Sequence, residues 1–150
     1  MEDIFKTETI ESFKKRIEEL DDSSSANWGK MDLYQMLKHC TENERMLLRE
    51  KSYKRLFIGR LFGKLALKAN IKDDKPLKKN GATHPELVIT GSGDVAQQKQ
   101  SWIDLLEKYP AMAQEAYQDF IHPFFGKMDR NQVSRFAYKH IDHHLRQFGV

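Results

Sequence analysis

The sequence predicts an all-α protein: a four-helix bundle with one long crossover connection. Three observations carry this. Apolar residues recur at three- and four-residue intervals in separate segments, the stripe of an amphipathic helix. Two of those segments open with the same tetrapeptide, "GKMD", at Gly29–Asp32 and Gly126–Asp129. In each, the aspartate is followed three residues later by glutamine (Gln35, Gln132), the signature of a capping box. Finally, no two segments alternate so as to pair as strands; "ELVIT" stands alone.

The first helix is expected near residues 7–20, where Ile10, Phe13, Ile17 and Leu20 share one face. "DDSSSANWGK" breaks that pattern as a loop. The second helix, near 32–50, starts at the Asp32 cap and carries Leu33, Met36, Leu37, Cys40, Leu47 and Leu48. Residues 53–69, "YKRLFIGRLFGKLALKA", are basic and rich in apolar residues, and predict a shorter helix interrupted near Gly59 or Gly63. The long irregular stretch that follows, over residues 70–93, has the length of a functional or mobile loop. Asp94 caps the next helix, near 94–108, which bears Val95, Trp102, Ile103, Leu105 and Leu106, and Pro110 restarts or kinks it. "HPFFGK" reads as a turn, with His122 structural and Phe124 and Phe125 packing on the bundle. The last helix, near 130–148, starts at the Asp129 cap.

A chain of 150 residues with 31% charged and 39% hydrophobic residues is expected to form one soluble domain over residues 1–150. A net charge of +3 is too small to imply nucleic acid, and no aromatic stacking pattern supports one. No apolar run approaches the roughly 20 residues of a membrane span, so no membrane partner is expected. The start "MEDIFKTETI" lacks the features of a secretory signal, and Cys40 is the single cysteine. A cytoplasmic location is the expectation.

Half of the six histidines crowd into "KHIDHHLRQFG". On a helical wheel with Val133 at the origin, His140 falls at about −20° and His144 at about +20°, the middle of the apolar arc. His143 lies at about −80°, at the edge of that arc. Two imidazoles at i, i+4 lie side by side, and burying them without partners is costly. Three readings compete: a metal, hydrogen bonds to buried carboxylates or carbonyls, or a helix more exposed than its pattern suggests. A metal needs a further ligand from another helix. With Leu33 at the origin, His39 falls at about −120°, on a flank. Cys40 falls at about −20° and Glu44 at about +20°, nearer the centre. Glu44, a carboxylate at the centre of an apolar face, is a ligand, an acceptor for an imidazole N–H, a general base, or half of an ion pair. Cys40 has the ordinary alternative of a small packed core residue. Wheel angles alone leave the third ligand open.

"MDLYQMLKHCTENERML" in an early helix and "KHIDHHLRQFG" in the last one resemble the DinB-like (YfiT-like) metalloprotein superfamily, in a branch that carries "HPFFGKM" before the final helix. The resemblance implies a four-helix bundle with a divalent metal, zinc or nickel, held by His39, His140 and His144, with positions open to water or substrate. It implies action on a small molecule: a thiol S-transferase with a low-molecular-weight thiol cosubstrate, or a hydrolase. It also implies pairing of bundle faces, for which the apolar surface around Phe57–Leu67 offers a homodimer contact. The pattern often has arginine directly after the second ligand; here Leu145 stands there and Arg146 follows.

Glu44 and His143 are the candidate catalytic groups beside that metal, His143 as a proton shuttle or as a half-exposed surface residue. Glu44 and Asp142 are the carboxylates expected behind the ligands. His84, in the long loop, is a candidate for the mouth of the site. The segment Lys51–Lys79 holds ten Lys or Arg against two Asp, and reads as an anionic-substrate rim, a membrane-surface helix, a nucleic-acid patch, or simply a solvated face. Beside the enzyme reading stand two others: a non-catalytic, stress-related metal-binding protein, and a basic-surface binding module whose histidines are structural.

Overall fold

The computed structural model describes residues 2–150. Five α-helices form among them: α1 (Thr7–Glu18), α2 (Leu33–Leu47), α3 (Phe57–Ile71), α4 (Val95–Leu106) and α5 (Arg130–Gln147). Pro85–Leu87, Tyr109–Ala111 and Gln114–Tyr117 are short 3-10 turns. Two two-residue strands, β1 (Ile121–His122) and β2 (Gly126–Lys127), pair antiparallel. The described residues are thus all-α apart from one minimal hairpin. No described helix is long and apolar enough to cross a membrane.

The predicted caps set the starts of three helices. Asp32 Oδ1 accepts from Gln35 N at 2.8 Å, and Gln35 Oε1 accepts from Asp32 N at 3.2 Å. Asp129 and Gln132 repeat this reciprocal pair at the start of α5, at 2.8 and 3.1 Å. Asp94 caps α4 through Gln97 N. Each cap satisfies donors that the first helical turn leaves unpaired. Both "GKMD" copies are helix starts, as their chemistry requires.

α2 is the central helix. It packs along α4 on one side and against α5 on another, and α1 closes over α4 and α5. Met36, Leu37, Trp102, Leu106, Ile141 and Leu145 are buried at the centre. α4 ends at Leu106, and Pro110 opens the Tyr109–Ala111 turn rather than kinking the helix.

Two sequence expectations need correction. α3 is not interrupted at its glycines. Gly59 and Gly63 are buried against the 121–127 hairpin, where a β-carbon on either would overlap the Phe124 carbonyl. They are contact points, one turn apart, and not helix breaks. The second correction is the hairpin itself, where the sequence predicts a turn alone. It forms because Gly126 adopts φ 81° and His122 Nδ1 accepts from the amides of Phe124 and Phe125 at 3.1 and 3.2 Å.

Alanine in place of glycine inside a helix ordinarily stabilises by about 0.5–1 kcal/mol. Gly63→Ala is expected to do the opposite here. Overlap with a backbone carbonyl forces α3 off the hairpin, at a cost of about 1–3 kcal/mol. Thermal unfolding checks the sign, and a raised melting temperature would refute the contact.

Candidate metal centre

Buried residues on α2 form two stripes. Leu37, Thr41 and Glu44 face α4 and the turn after it: Gln98 donates to Thr41 Oγ1, and Tyr109 donates to Glu44. Met36, His39, Asn43 and Met46, spaced three and four apart, form the second buried stripe. From this stripe His39 meets α5. Its flank position on the wheel is interior because the helix is covered on more than one side.

His39, His140 and His144 converge, and one nitrogen from each lies within 4.8 Å of the others. His39 Nε2 and His140 Nε2 are 3.2 Å apart. The ring centroids are 5.2 Å (39–140), 4.9 Å (39–144) and 4.7 Å (140–144) apart. Two ligands at about 2.0–2.1 Å from a tetrahedral ion would stand about 3.3 Å apart. The contact between the Nε2 atoms matches one edge of such a site.

Hydrogen bonds behind the rings fix which nitrogen faces inward. His39 Nδ1 donates to the Leu87 carbonyl at 2.9 Å, so its lone pair sits on Nε2. Gln147 Nε2 donates to the Trp28 carbonyl at 2.7 Å, which turns Gln147 Oε1 toward His144 Nδ1 at 2.8 Å. That oxygen can only accept, so His144 also carries its proton on Nδ1 and its lone pair on Nε2. His140 Nδ1 is buried and has no partner among the described residues. Burial holds all three rings below the ordinary histidine range, with neighbouring imidazoles adding to the effect at His140 and His144; His144 is pushed down to about 3. Near neutral pH the cluster is uncharged, and His39 and His144 turn lone pairs inward, the state that a metal requires of its ligands.

A family described as "Protein of unknown function (DUF1569)" matches residues 5–149. The chain belongs to the DUF1569 family. No curated protein and no solved structure matches it.

The other residues singled out from the sequence of this DUF1569 protein fall into distinct places. His143 is half-buried at the edge of the cluster, its ring between Trp28 (5.6 Å) and His144 (5.1 Å), and burial lowers its pKa. Lys79 lies 4.1 Å over the Trp28 ring. Glu44 is fully buried but turned away. It stands five residues beyond His39, about 140° around the helix, and its oxygens accept from Tyr109 and Asn43. Asp142 pairs with Arg16 at 3.0 Å and Arg146 at 3.3 Å. Neither carboxylate supports a ring of the cluster; a carbonyl and an amide do so instead. Cys40 is buried, its thiol 3.7 Å from Met36 Sδ and pushed up in pKa by burial. His84 binds the Lys54 carbonyl and caps its own turn through Glu86 N. The long loop does reach the cluster, but through Leu87.

Sequence reasoning missed Gln147 and Leu87. Gln147 was findable, since a glutamine three residues after His144 lies on the same helical face. Leu87 contributes only a backbone carbonyl, which no side-chain pattern encodes.

Proposed function

We propose that this protein binds one divalent metal, zinc or nickel, through His39, His140 and His144, and acts on a small molecule as a thiol S-transferase or hydrolase. The convergence of three neutral imidazoles from two helices, two of them oriented by acceptors behind them, is the observation that carries this reading. We read the fold as a DinB-like bundle of α1, α2, α4 and α5, with α3 and the long loop as the crossover; their mutual packing supports it. A bound ion supplies Lewis acidity that makes a thiol or water a nucleophile at neutral pH. Three uncharged ligands would leave the charge of such an ion uncompensated, which would favour anionic groups nearby. We assign proton transfer to His143; its ring contact with His144 and its half-buried position support this. Titration of the metal-free protein with zinc and nickel tests the site. Turnover of an electrophile with glutathione- or bacillithiol-type thiols, against hydrolysis of the same compound without thiol, tests the reaction.

Metal binding without turnover is the second reading. One observation favours it: Glu44, the carboxylate expected as a base, engages Tyr109 and not the histidines.

Gln147→Leu is expected to weaken metal binding about 10–100-fold, because His144 loses the acceptor that fixes its tautomer and ring. Competition with a chromogenic chelator measures this. Unchanged affinity would show that the amide does not orient the ring.

A further inference from the structure

α3 carries an unusual surface. Phe57, Ile58, Leu61, Phe62 and Leu65 are between 55% and 75% exposed. These are five of the seven large apolar side chains the described residues leave open. On the wheel they span about 140° of the outward face, and Arg60, Lys64 and Lys68 form a row along one border of that arc. The opposite face, Gly59, Gly63 and Leu67, is buried against the rest of the protein. The glycines therefore hold the helix flush on the hairpin while its largest side chains point outward. A contiguous patch of this kind marks an interaction surface.

The charges choose the occupant. No Asp or Glu occurs from Lys51 to Lys72, and Arg60, Lys64 and Lys68 make no ion pair with a described residue. A second copy of the chain would set this patch against itself in a two-fold contact, with no acid on either side to answer the cations. A sheet of anionic lipid headgroups answers them, and its acyl boundary takes the aromatic and aliphatic side chains. We infer that α3 is a membrane-surface helix, which seats the protein peripherally on anionic lipid with Phe57, Leu61 and Leu65 turned into the headgroup–acyl boundary. This is independent of the metal reading.

The test is co-sedimentation of the full chain with phosphatidylcholine vesicles, with and without phosphatidylglycerol. The protein should pellet with the anionic vesicles and release as salt rises. Leu61→Ser/Leu65→Ser and Lys64→Glu/Lys68→Glu should each weaken binding at least about tenfold. Both pairs are solvent-facing, and an unchanged circular dichroism spectrum and melting temperature verifies folding. A Phe62→Trp variant should show blue-shifted emission on anionic vesicles only. Failure to pellet, equal pelleting with both vesicle types, or full binding by Leu61→Ser/Leu65→Ser would overturn the inference. So would a dimer in sedimentation velocity that ignores vesicles and dissociates in the serine variant, since a second copy would then be the occupant.

Discussion

Replacing both His140 and His144 with alanine is expected to abolish stoichiometric zinc or nickel, measured per chain by elemental analysis after dialysis. The pair supplies two of the three converging nitrogens from one rigid helix, and His39 alone retains no tight site. His39→Ala should lower the metal content as well, by removing the ligand from the other helix. The helical circular dichroism spectrum should survive in each case, because the core around Trp102, Leu37, Ile141 and Leu145 is apolar and uses no ion. A double variant that still holds one tightly bound ion would defeat the assignment and leave the histidines as a hydrogen-bonded core cluster.

The second large effect lies at Glu44. Complete burial raises its carboxyl from 4.5 to about 7, only partly opposed by hydrogen bonds from Tyr109 and Asn43. The native state therefore binds this proton more tightly than the unfolded chain does. Its stabilising contribution is complete below about pH 4.5 and is lost as pH rises through about 7. The loss amounts to about 3 kcal/mol in full. Glutamine keeps an oxygen for the Tyr109 hydroxyl and cannot ionise. Glu44→Gln should thus exceed the native protein in stability above about pH 7, by up to this amount, and lose that advantage toward about pH 5. The buried histidines titrate in the opposite sense, since acid must charge them, so the difference between the two proteins isolates Glu44. Denaturant unfolding at several pH values gives that difference; parallel profiles would show that the carboxyl is not perturbed.

Much of the helical architecture is legible in the sequence. Helix starts were the clearest part, because Asp32 with Gln35 and Asp129 with Gln132 encode their hydrogen bonds within four residues. The inward turn of His140 and His144 followed from periodicity alone. The interior place of His39 did not. A wheel assumes one apolar face, and α2 has two buried stripes, which only the positions of α4 and α5 define. The continuity of α3 was hidden for a related reason. Gly59 and Gly63 weaken a helix by local propensity, yet their value lies in close approach to a hairpin about 60 residues further along the chain. Glu44 shows the same limit: an acid on a core face was visible, but its partner Tyr109 lies 65 residues away.

His39 and His140 are separated by 101 positions in the chain. Their meeting closes a loop of about two-thirds of the chain, so the centre is complete only after α2 and α5 have docked. An unfolded or partly synthesised chain offers an ion at most the adjacent histidines of α5, a weak bidentate grip. The proposed metal is thus a late arrival. It would favour the native state by mass action, and it would act on the rate of unfolding far more than on the rate of folding.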